Sequence, residues 1–439
     1  MRPNSIRFTL VILAFIVSIP FEAFAQTDIY IRGSGKLFPI ALPQLCLQQG
    51  ESQAVKEIPQ IIARDLDLSG YFEVVSPDAY IETPGKCGGP ESVVYTDWTV
   101  IGVEGLVRGT VIANGGNLTV QLYLYDVQKR SMVLGKEYSG DASQIKKISH
   151  RFANEILKFF TGEYGPFGTQ ISFSSRVGRF KELFVMDIDG SEIRQLTNDR
   201  GLAISSSWAP DGIHLVYTSY RNRVPDLFRM NINSRSVTQL TRGEPLELGA
   251  KYKRSEPASE LLLASITTGR DSDIVLLNMS GAVVQRITPS NGAIDVSPEW
   301  SPDNSRIAFC SNRGGGPQIY TMAADGSNVK RISFVTSNYC TSPSWSPKGD
   351  KIAFVCRADA GFQIFVANAD GSNALQLTSS GSNEDPDWSP DGRYLVFATT
   401  QGRAGSFVLA MMRSDGTSMK QLTSSRGGDS EPSWGPWEQ

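Results

Sequence analysis

The sequence predicts a multidomain chain in which a small α/β domain precedes a six-bladed β-propeller. Three observations carry this reading. A tryptophan-marked unit recurs through the C-terminal part with a period in the ~40 to 50 residue range of propeller blades. A Ser-Pro-Asp-Gly-type turn follows the marker, and the region from 26 to about 165 lacks the unit altogether.

The unit is clearest in Pro298-Glu299-Trp300-Ser301-Pro302-Asp303, followed by Arg306-Ile307-Ala308-Phe309, then Ile319-Tyr320-Thr321-Met322, Asp325-Gly326 and Lys330-Arg331-Ile332-Ser333. Its tryptophans fall at 208, 300, 345, 388 and 434, with separations of 92, 45, 43 and 46 residues. The first separation is two periods, and Tyr252 occupies the skipped position in a degenerate copy, where Ser255-Glu256-Pro257-Ala258-Ser259 replaces the turn. Six copies are therefore expected. Pro at the second turn position presets φ, and Asp-Gly supplies a polar cap and an unhindered backbone, as in Trp388-Ser389-Pro390-Asp391-Gly392. The following strand, such as Lys351-Ile352-Ala353-Phe354-Val355, is apolar on both faces because blades stack on blades. The last strand of a copy, such as Gln376-Leu377-Thr378, is short and polar, which suits an exposed edge. The first copy starts at Gln170-Ile171-Ser172-Phe173 without a tryptophan strand, and the last supplies only Glu431-Pro432-Ser433-Trp434. The two fragments are expected to make one blade and latch the ring.

Before the repeats, Val55, Ile58, Ile61, Ile62 and Leu66 predict a helix over Gln53 to Leu66, Phe72-Glu73-Val74-Val75 a strand, and Leu106 to Tyr138 a hairpin turning at Asn114-Gly115-Gly116-Asn117. A second amphipathic helix is expected over Ile145 to Phe160, with a hinge at Gly162 to Gly168. At the start of the chain Arg2 and Arg7 precede the apolar run Phe8 to Phe21 and the triplet Ala23-Phe24-Ala25, the layout of a secretory signal. The run is shorter than the roughly 20 residues a bilayer span needs. The expected division is therefore signal peptide 1–25, α/β domain with an extended leading segment 26–165, and propeller 166–439, in an exported protein.

A formal net charge of −3 argues against nucleic acid and anionic membrane surfaces as partners. Five cysteines in an exported chain permit disulfides and leave one over. The candidates are Cys46 with Cys87, outside the repeats, and Cys340 with Cys356, near the register of one hairpin. Buried free thiols are the alternative, since spacing does not fix connectivity. No cofactor and no metal site is expected. His150 and His214 are the only histidines and are read as exposed structural residues. No Gly-x-Ser-x-Gly elbow occurs, Gly33-Ser34-Gly35-Lys36 lacks the remaining residues of a phosphate loop, and Asp187-Ile188-Asp189-Gly190 aligns with the ordinary blade hairpin. The marker tryptophans are read as core.

This combination of leading segment, α/β domain and six-copy propeller resembles the TolB family of the bacterial Tol-Pal cell-envelope system over essentially the whole chain after the signal. The resemblance implies a periplasmic, non-enzymatic, monomeric docking protein that supports outer-membrane integrity and constriction at division. It implies as partners the lipoprotein Pal at the propeller and TolA at the leading segment, leaves other Tol proteins open as further partners, and has membranes approached only through partners. Carried onto this chain, the TolA-facing segment is Gln26 to about Pro39, centred on Asp28, Ile29, Tyr30, Ile31 and Arg32, whose extended character suits strand addition. The Pal-facing surface is expected where loops lead into the tryptophan strands: Glu247, Asp295, Asn383 and Asp429, five residues before each marker, with Ser337, Asn338, Glu384, Asp385 and Glu431 nearby. Solvated turn residues are the bland reading of the same positions. An enzyme or carbohydrate-binding module working through acids of the funnel is the alternative function.

Overall fold

The computed structural model describes residues 37–243, 246–254, 261–289, 292–401, 406–424 and 428–437. The expected signal and the segment around Asp28, Ile29, Tyr30, Ile31 and Arg32 lie outside the described residues.

The N-terminal domain is a six-stranded sheet with helices on it. Phe38–Ala41 pairs in parallel with Phe72–Val74 and with Gly105–Asn114, which also pairs in parallel with Cys46–Gln49. Gly105–Asn114, Asn117–Asp126 and Ser131–Asp141 then form an antiparallel meander. Its first turn is Gly115-Gly116, both at positive φ, between the paired Asn114 and Asn117. Helix α1 (Ala54–Ser69) and helix α3 (Ile145–Thr161) pack on each other and on the sheet, and a short α2 (Tyr95–Val100), which the sequence pattern does not predict, buries Trp98. Pro59 lies inside α1 and has no N–H for the Val55 carbonyl. The Leu45 N–H donates to that carbonyl instead, at 3.0 Å, so the proline ties the helix to the chain ahead of it. Helix α1 ends where Gly70 adopts φ +69°, a left-handed cap.

The propeller has six four-stranded antiparallel blades. The inner strands of blades 2 to 6 are Ala203–Trp208, Leu246–Tyr252, Asp295–Trp300, Cys340–Trp345 and Asn383–Trp388. Blade 1 is composite: Ser430–Trp434 is its inner strand and pairs with Gln170–Val177 through Ser430 to Ser174 and Trp434 to Ile171. The ring closes between chain ends because each end carries only a partial blade whose edge would otherwise stay unpaired.

Each blade is held at its rim by one recurring bond. The hydroxyls of Thr197, Thr241, Thr288, Ser333, Thr378 and Thr423 accept the backbone N–H of Leu183, Leu227, Ile274, Ile319, Ile364 and Leu409 at 2.9 to 3.0 Å. This is why the repeat ends in Ser or Thr. The marker tryptophans are buried, and Trp208 and Trp388 donate from Nε1 to the carbonyls of Ser433 and Ser344 in the preceding blade at 3.0 Å. Tyr252 fills the equivalent core position in blade 3.

The α/β domain sits on the side of the ring where inner strands end. Tyr394 donates to the Ser69 carbonyl at 2.8 Å, Lys348 pairs with Glu163 at 2.7 Å and Lys420 with Asp67 at 2.7 Å. One apolar core runs through both domains, joining Phe152 and Phe160 to Ile171, Phe173, Tyr394 and Trp434. The stretch read as a hinge is a packed connector: Gly165, Pro166 and Phe167 are buried, Asn154 donates to the Phe167 carbonyl at 2.9 Å and Trp437 to the Gly165 carbonyl at 2.9 Å.

Candidate functional site

The channel of the propeller is lined by the six inner strands, and two of its residue rings differ sharply. Five residues before each marker stand Ala203, Glu247, Asp295, Cys340, Asn383 and Asp429. The described acids and amide of this ring were expected to rim a partner-binding funnel; they are buried instead. Asp295 takes a two-pronged contact from Arg313 at 2.8 and 3.0 Å. Asn383 accepts from Thr399 at 2.7 Å and donates to Gln363 and the Ser380 carbonyl at 3.0 Å. Asp429 accepts from Ser175 at 2.6 Å and from Thr423. In blade 5 the same position is Cys340, disulfide-bonded to Cys356 directly across the strand pair with Cα atoms 4.1 Å apart. In four of the six blades this position is a latch that ties the start of the inner strand to its own blade, and Asn383 and Asp429 also reach the preceding blade through Gln363 and Thr423. Glu247 pairs through its backbone with Ile266, and its side chain lies outside the described residues.

Two residues further on, Ser205, Gly249, Ser297, Ser342, Asp385 and Glu431 all have φ between 50° and 63°. Each sits in a bulge where the register between inner and second strand slips. Strict alternation would place this ring on the same face as the latches. The extra residue breaks the alternation and turns these six positions into the channel mouth, where they line a cavity of about 140 Å³. The signal in the sequence was Gly249: the degenerate copy loses its tryptophan and its turn but carries glycine where the backbone is left-handed.

The mouth is electrostatically lopsided. Glu431 accepts from the Ser205 N–H at 2.6 Å and its hydroxyl at 2.9 Å, and Lys181 stands 3.7 Å away. Asp385 accepts from Ser342 at 3.1 Å. Burial, then the neighbouring Glu431 and Glu384 carboxylates, push the Asp385 carboxyl up to about 7. Glu384 is half-buried and accepts from Ser382 at 2.9 Å. Of the other expected funnel residues, Ser337 spends its hydroxyl on the Tyr339 and Arg357 carbonyls, while Asn338 is exposed on the loop leading into blade 5 and does not line the cavity. Asp385 and Glu431 are therefore the predicted residues that line the mouth.

Deeper in the channel, Lys251 contacts Glu299 at 3.2 Å and Arg254 donates to Glu299 at 2.8 Å. Burial opposes charge on both members, but the mutual attraction prevails and holds the Lys251 pKa above its ordinary value and that of Glu299 below. The channel thus carries its own ion pair. Among the described residues no group of three or more His, Cys, Asp or Glu side chains is placed to hold a metal ion, and no helix is long and apolar enough to cross a membrane.

Outside the channel, Cys46 and Cys87 are disulfide-bonded with Cα atoms 4.9 Å apart, and Cys310 is reduced and buried, which pushes its thiol up to about 11. His214 lies 2.7 Å from Asp211. His150, expected to be exposed, is instead largely covered, because α3 turns it onto α1, where Nδ1 lies 2.7 Å from the buried Asp65.

Comparison with known proteins matches residues 158–438 to a TolB beta propeller domain and residues 28–133 to a TolB amino-terminal domain. The chain is 33% identical to a Protein TolB homolog of Chlorobium chlorochromatii over 295 residues, covering 66% of this chain and 65% of that one. It is also 33% identical to the Tol-Pal system protein TolB of Desulfosudis oleivorans, covering 65% and 66%. The aligned region thus spans just under two thirds of the length of these two relatives. The crystal structure of TolB from Acinetobacter baumannii superposes with a TM-score of 0.78 at 24% identity, over 91% of this chain and 97% of that one, a likeness of fold.

Proposed function

The chain belongs to the TolB family, and on that premise we propose that it is a non-enzymatic docking scaffold of the Tol-Pal system, working in the periplasm between the inner-membrane protein TolA and the peptidoglycan-associated lipoprotein Pal. In this reading Pal occupies the channel mouth at the start of the inner strands, and the segment around Asp28 to Arg32 takes TolA by strand addition. The two contacts together support outer-membrane integrity and constriction at division.

The observation that supports this most is the asymmetry of the two faces. The α/β domain covers part of the face where inner strands end, through Tyr394, Lys348 and Lys420. The opposite mouth is lined only by propeller residues among those described, and carries Asp385 and Glu431 in a concave setting. A protein partner gains most where a recess lets it desolvate a few polar anchors.

Hydrogen exchange on the mature chain with and without the soluble domain of Pal tests the reading. Added protection is expected in the inner-strand starts, Ala203–Trp208, Asp295–Trp300 and Asn383–Trp388. Protection confined to the turns around Pro347 and Pro390 would place the partner on the opposite face and overturn the assignment.

A further inference from the structure

A second recess lies at the seam between the domains, distinct from the channel mouth. It encloses about 620 Å³, in the range of small-molecule sites. One wall is built from α3, with Lys147, His150 and Arg151; the other from Tyr164 of the connector, Gln170 and Asp187 of blade 1, and Trp437 near the C-terminus.

The recess is lined by more basic than acidic side chains. Its two carboxylates are already neutralised: Asp187 by Lys146, with Gln170 donating at 3.2 Å, and Glu155 by Lys136 at 3.2 Å, with Tyr164 donating at 3.4 Å. Arg151 has no carboxylate partner among the described residues. His150 commits Nδ1 to Asp65 at 2.7 Å, which fixes the ring, and Nε2 has no protein partner among the described residues. The apolar side is supplied by Trp437, 41% exposed although its Nε1 is held by the Gly165 carbonyl, and by the Tyr164 ring, which Lys158 overlies at 4.1 Å.

We propose that this seam binds a small carboxylate-bearing molecule, with its anionic head on Arg151 and His150 Nε2 and a ring or apolar body against Trp437 and Tyr164. The Arg151 guanidinium suits a carboxylate through charge-assisted bonds, and His150 Nε2 adds a donor when both ring nitrogens carry protons. Aromatic walls suit a sugar face or an aromatic side chain. An acidic sugar and the free C-terminus of a short peptide both present this chemistry. Because α3 belongs to one domain and Trp437 to the other, occupancy would hold the two domains together.

The test is a calorimetric titration of the full mature chain with two matched pairs: glucuronate against glucose, and N-acetylphenylalanine against its amide. At least one acid is expected to bind in the millimolar range or tighter, with its neutral partner at least about tenfold weaker. Whichever acid binds identifies the sugar or the peptide source. Arg151→Gln, at an exposed helix position, is expected to weaken the acid at least about tenfold with an unchanged melting temperature, and added salt is expected to weaken it further. Trp437→Phe separately removes the fluorescence change on binding. Equal binding of acid and neutral partner, full affinity in Arg151→Gln, or no heat from either acid up to about 10 mM would each overturn the proposal.

Discussion

Two rings on the same six strands, two residues apart, do different work. The latch ring of Asp295, Cys340, Asn383 and Asp429 is buried and spent within the propeller wall, by a guanidinium, a disulfide, an amide network and two hydroxyls. The mouth ring of Ser205, Gly249, Ser297, Ser342, Asp385 and Glu431 stands in left-handed bulges and lines open space. A polar residue at the start of an inner strand is thus not by itself a binding residue. The bulge decides which positions hold the blade and which face the channel.

The largest effect should come from removing the strand that carries the mouth residue of blade 1. A chain ending at Asp429 loses the pairing of Ser430–Trp434 with Gln170–Val177 and the buried Trp434. Loss of a buried tryptophan side chain alone costs about 3 to 5 kcal/mol, and deletion of the strand costs more. Calorimetry should show loss of the cooperative transition; a melt like that of the full chain would break the closure that the comparison assumes.

Asp295→Ala comes next. It strands Arg313 beside a buried site and is expected to destabilise by about 3 kcal/mol in urea unfolding, with little change in Pal affinity once folded. A strong affinity loss at unchanged stability would move this ring to the binding surface.

Asp385→Asn probes the mouth ring. Folded Asp385 holds its proton up to about pH 7, whereas the unfolded carboxyl releases it near 3.8, so the folded state binds the extra proton between these limits. Its contribution to stability is present below the lower limit and falls as pH rises through the window. The asparagine variant should flatten that slope in melts from pH 4 to 8; an unaltered slope would show that the carboxyl is already ionised.

The smallest effect belongs to Gly249→Ala. No atom lies within 4 Å of the added methyl, so only the φ of +63° opposes it, at about 1 kcal/mol. Ser342→Gly should cost nothing comparable, since glycine accepts the same backbone. A neutral Gly249→Ala would mean that the bulge relaxes.

The fold was legible because every blade repeats the same physical demands. The turn after Trp388 needs Pro390 and Gly392, the buried second strand needs Leu395 to Ala398, and the rim needs Thr423. A period built from such requirements survives even where blade 3 swaps tryptophan for Tyr252. The α/β domain showed through the apolar spacing of α1 and α3, while α2, with one buried residue at Trp98, left too short a pattern. The site was less legible for a geometric reason. Alternation gives no warning that one extra residue at Ser297 or Asp385 separates a latch from the channel. Nor does a helix pattern tell that His150 meets Asp65, a contact created only when two helices from distant parts of the chain pack.

The most direct measurement compares Pal affinity and melting temperature in the double variant Asp385→Asn, Glu431→Gln and in Asp295→Asn. The mouth variant is expected to lose at least about tenfold in affinity with its melting temperature kept, and the latch variant to melt lower while binding normally. The reverse assignment, or undiminished binding by the mouth variant, would contradict a partner seated at the start of the inner strands.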